Sequence, residues 1–212
     1  MFLRSACLTA LIASVAIVDA QVLLDRVLAR VNGTPVTLSD LRAGLAMGLV
    51  VAREGELALA TEQWVQRQLL LVEVERFPPP EPEAAAIDQE DARIRSRIGP
   101  AFAALAAQTG LDDRLIRQSA RDTLRIRAYL DQRFGVTVQV SDEEARAYYA
   151  AHTDEFRREG AVVPFEQAET AIRQLASAAR RQATIDQWMG DLRQRADVVV
   201  NPASTAGLPT RP

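Results

Sequence analysis

The segment spanning residues 25–41, DRVLARVNGTPVTLSDL, specifies a strand, a tight turn and the start of a helix in direct succession. Apolar residues with arginines between them predict a strand at 27–31. Asn32 and Gly33 follow, the dipeptide that best tolerates positive φ, so the chain is expected to turn back in a tight hairpin. Thr37 and Asp40 have the spacing of a capping box. The opening of the chain is therefore predicted to be a hairpin followed at once by a helix.

Residues 1–20 have the pattern of a secretory leader. A basic residue, Arg4, precedes an apolar core at 6–18, and a small residue stands at the expected cleavage position. The core is short for a bilayer and Asp19 closes it, which favours a cleaved signal peptide over a membrane anchor. The only cysteine, Cys7, lies early in this leader, whereas a lipid-attachment cysteine would follow the apolar core. We therefore expect an exported protein whose mature chain has no thiol chemistry, disulfide or thiolate metal site.

Charge is nearly balanced over the 212 residues, with 25 Lys and Arg against 28 Asp and Glu and a net charge of −3. All 25 are arginines, but they alternate with acidic residues instead of forming a basic patch, so nucleic acid is not an expected partner. The length that remains after the leader suits one domain with its own core, expected at 21–202, with a flexible tail at 203–212.

The residues after the hairpin have the apolar spacing of helices, with turn and proline signals between them. The pattern predicts helices at 37–53, 61–77, 83–98, 111–134, 141–156 and 165–196, and residues 101–110 either continue the third helix or form a short one. The helix at 61–77 is apolar almost all round and is expected to lie centrally, with Val65, Leu69 and Val72 on one face. Pro78 and two further prolines end it.

Two more capping boxes, Thr109 with Asp112 and Ser141 with Glu144, are predicted to start the helices that follow them. Residues 136–140 are interpreted as an extended linker and residues 158–163 as a loop. The β-branched run at 198–200 predicts a last strand, and its backbone groups need a partner. We expect it to pair with the strand at 27–31, which gives a mainly α fold with a small antiparallel β element.

This order of segments resembles the chaperone module of the SurA-type periplasmic folding factors, which are related to parvulin-type prolyl isomerases. Residues 25–41 resemble the family's opening strand, turn and helix, and residues 69–77 and 110–134 resemble its second and fourth helices. Residues 140–156 and 164–200 resemble the segments before and after the isomerase domain. The resemblance implies a multi-helix chaperone of the periplasm that binds unfolded or partly folded exported polypeptides and serves outer-membrane protein biogenesis.

The chain departs from the catalytic relatives where their isomerase domain would be inserted. Phe156 and Phe165 are separated by only eight residues, RREGAVVP, which are too few for an independent domain. The parvulin active site combines several histidines, whereas this chain has one, His152. We therefore expect the chaperone scaffold without the isomerase domain, and no enzyme activity.

Other chemistry finds little support in the sequence. His152 has Asp154 and Glu155 nearby, but one imidazole with flexible neighbours is better interpreted as a solvated side chain than as a metal site. Carboxylate pairs lie at helix starts, where the helix dipole and capping account for them. No nucleophile elbow, phosphate loop or dinucleotide motif occurs, so no cofactor is expected.

A chaperone needs accessible apolar surface on a stable scaffold, and large adaptable side chains are the candidates to supply it. The candidate client-binding residues are Met47, Leu49, Trp64, Phe102, Tyr148, Tyr149, Trp188 and Met189. At helical spacing such side chains more often belong to the core. Tyr148 and Tyr149 are the exception of interest, because adjacent helix positions point about 100° apart and both are not expected to be fully buried.

Three classes of function remain open at this point. The first is an ATP-independent periplasmic holdase with an apolar groove between its helices. The second is a prolyl isomerase, as the family resemblance alone would suggest. The third is an envelope adaptor with one fixed protein partner. A homodimer is also open, because the last helix and strand could be exchanged between protomers. No integral membrane segment is expected once the leader is removed.

Overall fold

A computed structural model describes residues 25–53, 55–135, 140–158 and 160–202 of the chain. The strands are β1 (Val27–Val31), β2 (Thr34–Thr37), β3 (Arg157–Arg158), β4 (Ala161–Val162) and β5 (Val198–Val200). The α-helices are α1 (Leu38–Met47), α2 (Leu57–Arg76), α3 (Ala84–Ile98), α4 (Phe102–Thr109), α5 (Asp113–Phe134), α6 (Asp142–Ala151) and α7 (Phe165–Arg195). The predicted signal peptide at 1–20, the tail at 203–212 and residues 136–139 of the predicted linker lie outside the described residues.

The two ends of the described chain meet in one small sheet of order β2-β1-β5, antiparallel throughout. The turn between β1 and β2 has positive φ at both Asn32 and Gly33, as the sequence predicts for this dipeptide. Beyond the strand ends, the Asn32 amide donates to the Asp197 carbonyl at 2.7 Å, and the Asn201 amide donates to the Leu28 carbonyl at 2.9 Å. The predicted pairing of the first and last strands is confirmed.

The main core lies where the sheet packs on α2, α5 and α7. Its buried side chains come from all of these elements, among them Val36, Val65, Leu69, Ile126 and Trp188. A second apolar cluster joins α1, α3, α4 and α5, and a third fills the space between β1, α1 and α2. A fourth lies between α6 and α7. The mainly α architecture with a small antiparallel sheet agrees with the sequence prediction.

Two of the three predicted capping boxes are present. The Thr37 hydroxyl accepts from the Asp40 amide while the Asp40 carboxylate accepts from the Thr37 amide, and Ser141 and Glu144 form the same reciprocal pair. The box predicted for Thr109 and Asp112 is wrong. Thr109 is instead the last residue of α4, and its hydroxyl donates to the Leu105 carbonyl at 2.7 Å. Asp112 itself caps α5 by accepting from the Leu115 amide.

Three predicted helix boundaries are also wrong. The helix predicted at 141–156 ends at Ala151, and a 3₁₀ turn at Thr153–Phe156 follows it. The first helix ends at Met47 and not near residue 53, because Gly48 adopts a left-handed conformation with φ of 72° and closes the helix. The second helix begins at Leu57, before the predicted start at Thr61, whose buried hydroxyl donates back to the Leu57 carbonyl. The turn signal after the first helix and the capping threonine of the second therefore do not mark the ends of these helices.

Two further details differ from the sequence prediction, and one alternative that it left open is decided. The segment at 158–163, predicted as a loop, contributes to the two-stranded hairpin of β3 and β4. Residues 101–110 contain a short separate helix, α4, preceded by one 3₁₀ turn. The apolar spacing of residues 111–134 also predicts that Leu115 lies on the packed side of α5, and this is wrong, because Ile116 is buried and Leu115 is 37% exposed.

Candidate functional site

An open groove lies between the C-terminal ends of α2, α5 and α7, and we call it the α2–α5–α7 groove. Its volume is about 410 Å³, and the β1–β2 turn lies at its edge through Asn32. Apolar side chains that range from buried to exposed line it, namely Leu69, Val72, Phe77, Trp188, Leu192 and Ala196. A second depression of about 270 Å³ shares Phe77 and Arg133 with it and extends towards Tyr129. The groove is therefore an accessible surface next to the main core.

Two of its apolar side chains face solvent. Val72 is 46% exposed and Phe77 is 52% exposed, although Leu69, one turn before Val72, is fully buried. Phe77 follows the last residue of α2, directly before the proline run that ends the helix. The expectation that Val72 would share the buried face of Val65 and Leu69 is wrong, because beyond Leu69 the buried positions of α2 are Glu73 and Val74, while Val72 lines the groove.

One wall of the groove is aromatic. The Trp188 ring, which lines the groove, packs against those of Tyr129 and Phe134, with ring centroids 6.0 Å and 5.3 Å away. The Arg133 guanidinium lies over the indole, 4.9 Å from the ring centroid. On the opposite side the Arg76 guanidinium lies 5.2 Å from the centre of the Phe77 ring. Cations over aromatic faces are attracted by the ring quadrupole, so both arginines are held near the groove opening.

The groove carries more positive than negative charge. Arg76, Arg133 and Arg195 line it, and none of them forms an ion pair with any residue that the structure describes. Glu73 is the one carboxylate among the lining residues, and it is buried. Burial raises the pKa of the neighbouring Tyr129 hydroxyl; the Arg133 guanidinium opposes this shift and the Glu73 carboxylate adds to it. The local excess of cationic side chains favours anionic groups at the opening.

The eight predicted client-binding residues do not converge on one surface. Trp188 lines the groove, and Met189 packs against the same core cluster from the adjacent position. Trp64 lies partly buried between the main core and the cluster that joins β1, α1 and α2. Met47 is buried, and Leu49 and Phe102 pack beside it in the cluster of α1, α3, α4 and α5. Their role in binding stays a prediction.

Tyr148 and Tyr149 lie on α6, away from the groove, and both are half-buried, as predicted. Tyr149 packs against Phe156 and Phe165, and its hydroxyl donates to the Val163 carbonyl at 2.7 Å, which ties α6 to the start of α7. Tyr148 stacks on His152 with ring centroids 4.2 Å apart. It also lines a shallow depression whose charged residues, Glu144 and Arg180, already pair with each other at 2.7 Å.

Sequence reasoning missed Val72, Phe77 and the three arginines. Phe77 carried one usable signal, since an aromatic residue next to a helix-ending proline run is poorly placed for burial in that helix's packed face. The arginines carried none, because 25 are spread along the chain and nothing local distinguishes these three. Their convergence depends on how three helix ends meet in space.

The described part of the chain contains neither a candidate metal site nor a candidate membrane-spanning helix. It contains no group of three or more His, Cys, Asp or Glu side chains arranged to hold a metal ion. His152 contacts Glu155 at 2.9 Å and the Tyr148 ring. Among the helices that the structure describes, none combines the length and apolar character needed to cross a membrane.

Comparison with known proteins gives a likeness of fold. No protein-family model and no curated protein matches this chain. A solved structure does match, from work on the virulence factor PEB4 and the periplasmic protein Cj1289, described as two structurally related SurA-like chaperones in the human pathogen Campylobacter jejuni. The TM-score is 0.52 at 10% identity, and the match covers 84% of this chain and 99% of that one. The fold of this chain is SurA-like.

Proposed function

We propose that this protein is an ATP-independent chaperone of the periplasm, which holds unfolded exported polypeptides, outer-membrane proteins among them, in the α2–α5–α7 groove. The observation that carries the proposal is the pair of solvent-facing apolar side chains, Val72 and Phe77, over an open cavity beside Trp188. Exposed apolar groups that line a concave surface are a common feature of binding sites for apolar ligands. The SurA-like fold supports a chaperone in general terms.

Two features of the sequence support the cellular part of the proposal. The leader pattern at 1–20 favours export, and the absence of a phosphate loop suits a compartment without ATP. We also propose that the leader is removed and that the protein binds no cofactor. A holdase needs only reversible apolar binding, and the groove offers apolar side chains with arginines beside them.

We also propose that the protein is not a prolyl isomerase. Support comes from the eight residues between Phe156 and Phe165, where the resemblance would place a catalytic domain, and from the single histidine, His152. His152 lies at the end of α6, where it contacts Glu155 and Tyr148. An isomerisation assay on a short proline peptide is expected to give no rate above background, and clear catalysis would overturn this part of the proposal.

The aggregation of an unfolded outer-membrane β-barrel protein, followed by light scattering without nucleotide, tests the chaperone function. The wild-type protein is expected to delay aggregation. The double variant V72A/F77A should need about tenfold more protein for the same delay, because the loss of two apolar contacts weakens binding by roughly 1.5 kcal/mol. Leu59→Ala is the matched control, since Leu59 lies on α2 with 48% exposure and does not line the groove.

The outcomes separate the remaining functions. Equal activity of the double variant and the L59A control would place binding elsewhere than in the groove. Absence of any delay by the wild-type protein, together with one stoichiometric partner recovered from envelope extract, would replace the chaperone by an adaptor.

A further inference from the structure

The α2–α5–α7 groove carries three arginines that come from three different helix ends. Arg76 is the last residue of α2, Arg133 is the residue before the end of α5, and Arg195 is the last residue of α7. All three are exposed and line the same cavity. Their guanidinium groups are therefore available around the opening that Val72 and Phe77 leave apolar.

Of the carboxylates near these arginines, Glu73 lines the groove but is buried beside Tyr129, and two others bind arginines elsewhere. Glu75, next to Arg76, binds the buried Arg125 at 2.5 Å, and Asp131, two residues before Arg133, binds Arg181 at 2.7 Å. Arg195 donates only to a backbone carbonyl, that of Asp191, at 3.2 Å. Within the described chain none of the three groove arginines forms an ion pair, and Glu73 is the one carboxylate that lines the groove with them.

Position at a helix C-terminus gives each of these arginines an ordinary explanation, because cations interact favourably with the helix dipole there. That explanation accounts for each residue separately and does not require them to meet. If the arginines interacted with their own helix ends alone, acidic side chains of a bound segment would gain no direct contact with them, and replacing one arginine would not change the preference for an acidic segment. The two explanations therefore differ in a measurable way.

We infer that the groove selects polypeptide segments in which a large apolar side chain is flanked by Asp or Glu. This inference rests on the proposed chaperone function and specifies its substrate. The apolar side chain would contact Phe77, Val72 and the Trp188 wall. The flanking carboxylates would bind Arg76, Arg133 and Arg195, whose forked donors match a carboxylate in a bidentate fashion.

The dimensions of the groove suit such a segment. A cavity of about 410 Å³ is at the small end of ligand sites, which suits one or two side chains and not a folded domain. In an extended chain, side chains two residues apart point to the same side and lie about 6.6 Å apart, so acidic residues two positions before and two positions after a central aromatic residue can reach separate arginines around one opening. Charge complementarity therefore favours this occupant over a purely apolar or a basic segment.

Fluorescence polarisation with three labelled peptides tests the inference. Each peptide is acetylated, amidated and built around one central Phe, and only the residues two positions before and two positions after it differ, being Asp, Asn or Lys. The Asp peptide is expected to bind about five- to tenfold more tightly than the Asn peptide, and the Lys peptide more weakly than both, with the differences shrinking as salt is added. R76Q and R133Q should each reduce the preference for Asp about two- to threefold.

Arg127→Gln is the matched control, because Arg127 lies on α5, is exposed, has no ion pair within the described chain and does not line the groove. Equal affinity for the three peptides, or a preference that survives in R76Q/R133Q, would overturn the inference and leave the chaperone function standing. Absence of binding to all three peptides, together with no delay of aggregation by the wild-type protein, would overturn both.

Discussion

At the scale of single residues, the close approach of α1 to α2 depends on Gly44. This residue is buried in α1, and a Cβ at its position would lie 2.2 Å from the Cζ3 atom of the Trp64 ring on α2. Trp64 in turn packs between two apolar clusters. The indole therefore occupies the space that any larger residue at position 44 would need.

Gly44→Ala is expected to lower the free energy of unfolding by about 1–3 kcal/mol, because displacement of the ring outweighs the better helix propensity of alanine. Urea denaturation measures the change. Gly190→Ala is the matched control, since Gly190 lies in α7 with nothing within 4 Å of its added Cβ, and it should stabilise the protein by about 0.5–1 kcal/mol. A G44A protein as stable as G190A would contradict the packing described for Trp64.

Residue-scale prediction from the sequence succeeded where both partners of a contact are close in the chain. The capping boxes at Thr37 and Ser141 follow from a spacing of three residues. The same spacing at Thr109 failed, because that residue still belongs to the preceding helix, where its hydroxyl bonds to Leu105. Likewise nothing local distinguished Arg76 from the other arginines, since its role depends on residues far away in the sequence.

At the scale of secondary-structure elements, the pairing of β5 with β1 joins the two ends of the domain. In the register Arg30 lies opposite Val199. The bonds of Asn32 with Asp197 and of Asn201 with Leu28 flank this pair at two-residue intervals, so Arg30 and Val199 are the hydrogen-bonded pair between them. The pairing also positions the end of α7, with Arg195 and Ala196, at the edge of the groove.

Val199→Pro removes the amide donor at the middle of this pairing and is expected to lower the free energy of unfolding by about 2–3 kcal/mol. The Val199 side chain is 57% exposed, so Val199→Thr, which keeps the donor and the β-branch, should stay within about 0.5 kcal/mol of wild type. Chemical denaturation of both variants measures the difference. Equal stability of V199P and V199T would show that the terminal strand contributes little.

The sequence predicted the type of most secondary-structure elements better than it predicted their boundaries. β5 was predicted to pair because a lone β-branched strand has to satisfy its backbone groups. The start of α2 at Leu57 was missed, because no side-chain cap marks it. The exposure of Val72 was missed for a related reason: apolar periodicity identifies a helix face but does not show where the neighbouring elements stop covering it.

At the scale of the whole molecule, the SurA-like fold brings three helix ends together beside the sheet, and the groove is a consequence of that arrangement. The resemblance of ordered segments predicted the fold, because strand, turn and helix signals are local and their order is visible in the chain. The groove could not be predicted in the same way, since Phe77, Arg133 and Arg195 come from separate helices. A homodimer stays a prediction, which light scattering of the purified protein would check.

The central claim is that an unfolded polypeptide lies in the α2–α5–α7 groove, and site-specific photo-crosslinking tests it most directly. A photoreactive phenylalanine analogue at position 77 is mixed with an unfolded outer-membrane β-barrel protein, and the same analogue at position 59, also exposed on α2, serves as the control. The account predicts an abundant adduct from position 77, little from position 59, and none with the folded barrel. Adducts of equal yield from both positions, or none from position 77 while aggregation is still delayed, would contradict it.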